Sequence, residues 1–146
     1  LADLNDVILD LKRSSMFITC AFLASQADDT LQFALAGHLP ILHYRHGQAV
    51  IDELWLSHLP LGMFEQQRYR TATVHFQAGD LFALVTDGFT EVFDTRDTEF
   101  GLERLKDVIA ANGEKPLRDV FAAVIARARQ HGRQTDDQSL LLIRCL

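Results

Sequence analysis

The chain has 146 residues, 48% of them hydrophobic, and a formal net charge of -6 at pH 7. This length fits one domain, and this share of hydrophobic residues is enough to bury a core. The acidic balance, with no basic cluster longer than Lys12-Arg13, argues against a nucleic-acid surface, and no apolar run approaches the roughly 20 residues of a membrane helix.

The N-terminal residues 1 to 12 show the spacing of an amphipathic helix. Its apolar positions recur every three or four residues and predict a stripe that faces the core: Leu4, Val7, Ile8 and Leu11. No capping residue stands ahead of Leu1, so we expect the chain to begin inside an element and part of the domain to lie upstream.

Short apolar and alternating runs then predict strands. The run 16–23 suits a strand that is covered on both faces, and a polar turn is expected at 25–29. The next strand ends at a bend around Gly37 and Pro40, since glycine permits unusual backbone angles and proline cannot donate to a ladder. Residues 41–45 and 48–54 flank His46-Gly47, a predicted two-residue hairpin turn.

The second half alternates between strands, loops and helices. The sequence predicts a loop at 55–70, a strand at 71–76, an apolar strand leading into Asp87, and a surface loop with a possible helical turn at 89–100. Two amphipathic helices follow, the first ending at Asn112-Gly113 and the second carrying Pro116 in its first turn. Their predicted core stripes are Leu102, Leu105, Val108 and Ile109 in the first, and Leu117, Val120, Phe121, Val124 and Ala128 in the second.

These elements predict one α+β domain over residues 1–146, with largely antiparallel sheets and helices packed outside them. The two cysteines, Cys20 and Cys145, lie in apolar stretches, which is typical of buried free thiols in a reducing compartment.

Two segments carry the chemistry. One is an apolar run that ends in Asp87 and Gly88, and the other begins with Asp136 and Asp137 and continues into an apolar run. If the two strands are antiparallel, their acidic ends meet at one sheet edge, where like-charged carboxylates are commonly relieved by a cation or a shared proton. The residues alone also allow a turn carboxylate at Asp87 and a strand-start cap at Asp136.

An ordered set of motifs resembles the SpoIIE/RsbU-like branch of the PPM metal-dependent serine/threonine protein phosphatases. Each motif alone is weak, but the set in this order, over roughly residues 3 to 145, is specific. The motifs are Ala36-Gly37-His38-Leu39-Pro40, Leu59-Pro60-Leu61-Gly62, Gly79-Asp80, Leu84-Val85-Thr86-Asp87-Gly88-Phe89-Thr90-Glu91, Phe100-Gly101 and Thr135-Asp136-Asp137-Gln138-Ser139.

The resemblance implies an α-β-β-α sandwich with two Mn2+ or Mg2+ ions at one end of the sheets. It places Asp87 and Asp136 as metal ligands, and Asp137 and Gly88 as residues that support the site or contribute to metal binding. Glu91 and His38 are candidates for a regulatory loop, although a solvated carboxylate and a structural turn histidine are the plainer readings. The other histidines lack ligand spacing and are expected at the surface or half-buried.

The family's further metal aspartate belongs to an Asp-x-Ser-Gly-His-Gly motif that is absent from this sequence. We therefore expect the N-terminal part of the fold to be missing, the present chain to be inactive or incompletely metallated, and exposed sheet edges to favour a homodimer.

The function implied for the complete protein is hydrolysis of phosphoserine or phosphothreonine on a regulatory protein of the anti-sigma-factor antagonist type. The resemblance also implies a cytoplasmic protein in a partner-switching pathway, with an upstream sensor or receiver domain. Two alternatives stay open: a non-catalytic PPM-fold binding module without a complete metal site, and an unrelated metal-dependent hydrolase that uses the same aspartates.

Overall fold

A computed structural model describes residues 1–11, 16–26 and 28–146. Lys12, which is the last residue of the predicted first helix, and Arg13 lie outside these ranges. In chain order the elements are α1 (Ala2–Leu11), β1 (Cys20–Ser25), β2 (Thr30–Ala36), β3 (Ile41–Arg45), β4 (Val50–Leu54), β5 (Ala72–His75), β6 (Leu81–Val85), α2 (Asp87–Thr90), α3 (Gly101–Asn112), α4 (Leu117–His131) and β7 (Leu140–Arg144).

The described residues form two compact units. The first unit comprises residues 1–40 and 55–76, and the second comprises residues 41–54 and 77–146. Each unit contains one antiparallel sheet, in the order β1-β2-β5 in the first and β4-β3-β6-β7 in the second. The predicted mixed α+β class with antiparallel sheets is thereby confirmed, whereas the single domain stays a prediction.

In the first unit, the predicted apolar stripe of α1 is not core. Leu4, Val7 and Leu11 are exposed, and the residue of α1 that is buried is Asn5. Its amide anchors the loop after β4, because Oδ1 accepts the Gly62 N–H at 2.9 Å and Nδ2 donates to the Phe64 carbonyl at 3.1 Å. Polar bonds rather than apolar burial therefore hold this face of the helix.

The strand predicted at 16–23 is also corrected. It begins at Cys20, and Met16, Phe17 and Phe22 are exposed. β1 pairs only with β2 among the described strands, and Phe22 is 49% exposed, so one face of β1 lacks the expected cover within the described residues. Neither cysteine forms a disulfide in the described part of the chain, and each is half-buried rather than buried as predicted.

In the second unit, β6 lies between β3 and β7 and is almost fully buried. The helices bury Leu105 and Ile109 from α3, and Val120, Val124 and Ala128 from α4. Phe121, predicted in the core stripe, is 44% exposed because it lies on the border of the buried face. Pro116 precedes α4 instead of occupying its first turn.

The β3–β4 turn differs from its prediction, whereas the loop at 89–100 largely follows it. The β3–β4 turn covers residues 46–49, with positive φ at Gly47 and Ala49, and β4 begins two residues later than predicted. Glu114 accepts the Gly47 N–H at 3.0 Å and so holds this longer turn. The segment 89–100 is a surface loop over most of its length, as predicted, since residues 95–99 are exposed. The expected helical turn is α2, which begins at Asp87, and the aromatic residues at the two ends of the segment, Phe89 and Phe100, are buried. Within the described residues, no helix has the length and apolar character needed to cross a bilayer.

Candidate metal centre

The strands β6 and β7 deliver the two acidic segments to one edge of the second sheet. Their pairing is antiparallel, as the sequence analysis assumed, and it aligns Val85 with Leu140. The pairing continues for one more residue, since the Thr86 N–H donates to the Ser139 carbonyl at 3.1 Å and the Ser139 N–H donates to Thr86 Oγ1 at 3.0 Å. Asp87 and Asp136 therefore leave the same sheet edge.

Just beyond that edge, the two backbones touch at Gly88 and Asp137. A Cβ added to Gly88 would lie 2.2 Å from the carbonyl oxygen of Asp137, so only glycine fits. The Gln138 side chain donates to the Gly88 carbonyl at 2.8 Å and fastens the contact. Each of these two contact residues is the chain neighbour of a candidate ligand.

Asp87 is the first residue of α2, and its backbone closes that helical turn. Its carbonyl accepts the Glu91 N–H at 2.8 Å and the Thr90 hydroxyl at 3.1 Å. Its side chain is exposed and, within residues 1–11, 16–26 and 28–146, has no hydrogen bond or ion pair. The carboxylate is thus available to a ligand.

Asp136 and Asp137 occupy the loop that leads into β7. Both are exposed, and Asp136 Oδ1 accepts the Asp137 N–H at 2.7 Å, which leaves Oδ2 free of hydrogen bonds in the described structure. These two residues line an open polar depression of about 330 Å³ together with Gln134 and Thr135. The depression presents carboxylate oxygens to solvent.

The donor chemistry of this edge suits Mg2+ or Mn2+, which are hard cations that take carboxylate oxygens and retain several waters. The number of donors is lower than a two-ion cluster requires. The described part of the chain contains no group of three or more His, Cys, Asp or Glu side chains arranged to hold a metal. Asp87 and Asp136 therefore fit as part of a metal site, not as a complete one.

The two residues predicted for a regulatory loop lie in different units. His38 belongs to the first unit, where it is half-buried and its Nδ1 is 2.9 Å from the Leu39 carbonyl oxygen. Glu91 belongs to the second unit and follows α2 with an exposed side chain. A regulatory role for either residue stays a prediction.

The structure also contains a polar pair that the sequence analysis did not find. His43 was expected to be an ordinary surface or half-buried histidine, and this is wrong, because its side chain is fully buried. Its Nε2 lies 2.8 Å from Oδ2 of Asp80, which is equally buried, and its ring stacks on Phe82 with 4.2 Å between centroids. The one available signal was a histidine in the otherwise apolar strand 41–44.

Asp80 is an acceptor for three groups. Its Oδ1 accepts the His46 N–H at 2.8 Å, and its Oδ2 also accepts the Gln77 N–H at 3.2 Å. Burial raises the pKa of Asp80, but these N–H donors and His43 outweigh it, so the pKa lies below its usual value. Burial lowers the pKa of His43 more than Asp80 raises it, so the imidazole is neutral near pH 7 and donates through Nε2.

Comparison with solved structures shows which known domains share this fold. It is similar to the phosphatase domain of SpoIIE from Bacillus subtilis, presoaked with Mn, with a TM-score of 0.68 and 17% identity over 96% of this chain and 62% of that one. It is also similar to the RsbU and RsbW domains of a Mycobacterium tuberculosis protein, with a TM-score of 0.76 and 18% identity over 97% of this chain and 40% of that one. The shared fold is that of bacterial phosphatase domains.

Comparison of the sequence with protein families identifies the family of the chain. The family described as Stage II sporulation protein E (SpoIIE) matches residues 1–146, and the chain therefore belongs to the SpoIIE family. This confirms the predicted resemblance and disfavours the unrelated hydrolase. Phosphoserine phosphatase RsbU from Bacillus subtilis (strain 168) is 29% identical over 153 residues, which cover 99% of this chain. The chain spans 44% of the length of that relative.

Proposed function

We propose that the protein is a metal-dependent serine/threonine phosphatase that dephosphorylates a regulatory protein in bacterial signalling. The observation that carries this proposal is the contact between Gly88 and Asp137, which ties the exits of β6 and β7 together beside two exposed carboxylates. Membership of the SpoIIE family and the similarity to RsbU, a phosphoserine phosphatase, support the same chemistry.

In this proposal Asp87 and Asp136 hold Mn2+ or Mg2+ as anionic ligands. When bound, such ions neutralise phosphate charge and make water a better nucleophile near neutral pH. The chain's own contribution is positional: the backbone bonds between Thr86 and Ser139 and the close approach of Gly88 to Asp137 set where the two carboxylates can point. Asp137 would orient its neighbour through the loop that they share.

The finer features of this function are also proposals. The substrate would be a phosphorylated protein of the anti-sigma-factor antagonist type, and the setting would be a cytoplasmic partner-switching pathway with an upstream sensor or receiver domain. A homodimer fits the exposed apolar residues of the first unit, which include Phe17 and Phe22. A nucleic-acid substrate is disfavoured by the net charge of -6.

The experiment measures Mn2+-dependent release of phosphate from a phosphoserine peptide by the full-length protein. Asp87→Asn and Asp136→Asn should each reduce kcat/KM by about 100-fold or more, since each removes an anionic ligand while keeping the side-chain shape. Asp28→Asn is the matched control, because Asp28 is an exposed aspartate of the first unit at a positive φ that asparagine tolerates. Full activity in either site variant, or turnover that survives chelation, would contradict the proposal.

The alternative of a non-catalytic binding module rests on one specific observation. The described residues do not provide three clustered metal-binding side chains. Calorimetric titration of the full-length protein with Mn2+ separates the two functions. Binding that is lost in Asp87→Asn supports the enzyme, whereas the absence of any Mn2+ binding and of any phosphate release supports the module.

A further inference from the structure

Helix α4 and the two residues after it carry a charge opposite to that of the whole chain. Residues 117–133 contain four arginines and one aspartate, a formal charge of +3, whereas the chain carries -6. The arginines are Arg118, Arg127, Arg129 and Arg133. In an acidic protein, such a concentration marks the surface most attractive to an anionic partner.

These arginines contribute little to the fold. Arg118 pairs with its neighbour Asp119 at 3.3 Å, and Arg127 donates to Gln130 at 3.0 Å. Across the ranges that the structure describes, the side chains of Arg129 and Arg133 form no hydrogen bond or ion pair, and both are exposed. Guanidinium groups without internal partners are free to bind a partner's carboxylates, often through two hydrogen bonds each.

The C-terminal end of α4 is fixed near the candidate metal centre. Arg133 precedes Asp136 by three residues, so their Cα atoms are at most roughly 11 Å apart. His131 Nε2 lies 2.8 Å from the Thr98 carbonyl oxygen, and a Cβ on Gly132 would lie 2.0 Å from the Phe93 carbonyl oxygen. The basic end of the helix is thus held against the segment that follows α2.

We propose that Arg129 and Arg133 form a docking surface for an acidic protein substrate, and we name these two residues the arginine surface. The inference rests on the proposed phosphatase function and adds the chemistry of the substrate around its phosphorylated residue. Charge complementarity favours an acidic protein: the candidate ligands and their surroundings are themselves acidic, so a partner that carries both a phosphate and carboxylates needs a basic contact close by.

Two synthetic phosphoserine peptides of equal length test this surface with the full-length protein. One carries four glutamates around the phosphoserine, and the other carries four glutamines at the same positions. At low salt the wild type should prefer the glutamate peptide by roughly tenfold in kcat/KM, mainly through KM, and the preference should fade at about 0.5 M salt.

The variant Arg129→Gln/Arg133→Gln should lose this preference but keep its rate on p-nitrophenyl phosphate, which makes no contact beyond the metal centre. The control Arg68→Gln/Arg70→Gln removes the same charge from exposed arginines of the first unit and should keep the preference. Equal loss in both variants would overturn the proposal, because it would show an effect of net charge alone.

Hydrolysis of p-nitrophenyl phosphate by the wild type reports on the proposed function separately. If it is absent, the phosphatase function fails, and fluorescence anisotropy with the labelled glutamate peptide decides the docking question alone. Binding that the arginine-surface variant loses would support the surface. Binding equal for both peptides, or displacement of the glutamate peptide by a 20-base-pair DNA duplex at physiological salt, would overturn an acidic protein as the occupant.

Discussion

Replacing Gly88 by alanine tests whether its contact with Asp137 builds the candidate metal centre. The φ angle of Gly88 is not in the left-handed region, so the only obstacle to a side chain is space. A Cβ would lie 2.2 Å from the Asp137 carbonyl oxygen and 2.9 Å from the carbonyl carbon. Both atoms belong to the backbone, so no flexible side chain can move aside.

The overlap sets the size of the effect. An unstrained contact between a carbon and an oxygen needs about 3.3 Å, so the exits of β6 and β7 must separate by roughly 1 Å. A shift of that size at a catalytic site typically costs about 100-fold in rate. Overpacking itself costs about 1 to 3 kcal/mol of folding free energy. We therefore expect the loss of activity and of Mn2+ affinity to be the dominant result.

Gly113→Ala is the matched control. Its Cβ would lie 2.4 Å from Cζ of Tyr44, an overlap of similar size, again at a φ outside the left-handed region. Tyr44 pairs with Leu81 at the other end of β6, far along the strand from Asp87. This variant should lower the melting temperature of the full-length protein and leave its Mn2+ affinity unchanged.

The assay combines calorimetric titration with Mn2+, kcat/KM on p-nitrophenyl phosphate, and thermal unfolding. Wild-type Mn2+ affinity together with wild-type kcat/KM in Gly88→Ala would refute the reasoning, because the two carboxylates would then not depend on this contact. Equal loss of Mn2+ affinity in Gly88→Ala and Gly113→Ala would refute it as well, since general destabilisation would explain both.

Other predictions concern the second unit. Lowering the pH from 7.5 through about 6.5 should reduce the free energy of unfolding, because the unfolded state protonates His43 before the folded state does, with a slope of at most about 1.4 kcal/mol per pH unit. Urea unfolding of His43→Gln should show a weaker dependence on pH over the same range. Asp80→Ala should cost about 3 kcal/mol or more by urea unfolding at pH 7, since it leaves buried N–H donors unpaired; a loss below 1 kcal/mol would contradict this. Leu105→Ala should cost about 2 to 5 kcal/mol, and Phe121→Ala, which is 44% exposed, clearly less; equal losses would contradict the burial assignment.

The sequence predicted the second unit well because its elements have strong local signals. The apolar runs that become β6 and β7 are bounded by carboxylates and turn residues, and α3 and α4 follow the 3.6-residue period. The juxtaposition of the two acidic segments followed from a single assumption, antiparallel pairing, which the register confirms. The metal ligation that those segments would support remains a prediction.

The first unit was predicted less well, and the physical reason is clear from α1. A periodic apolar stripe shows that a helix can bury one face, but it does not show which partner covers that face. Leu4, Val7 and Leu11 have the correct spacing and are nonetheless exposed, while Asn5 is buried through its hydrogen bonds. Phe22 in β1 is a second example, since this apolar residue of a strand predicted to be covered is 49% exposed.

The His43–Asp80 pair escaped detection because its partners are 37 residues apart in the chain. Neither residue stands out alone, since a histidine within a strand and an aspartate before one are both common. Only the pairing of β3 with β6, which aligns His43 with Phe82, brings the imidazole to the carboxylate. Such a contact depends on register, and local patterns do not encode it.

The two ends of β6 provide the strongest argument for where function lies. At one end, Asp80 is buried, and its carboxylate accepts hydrogen bonds from His43, His46 and Gln77, which all belong to the second unit. The fold itself therefore stabilises the charge of Asp80. At the other end, Asp87 is exposed and has no side-chain partner among the described residues, although the backbone around it is tightly constrained. Water can solvate this exposed carboxylate, so the fold leaves Asp87 available to a ligand, and the metal ion that we propose would use it together with Asp136.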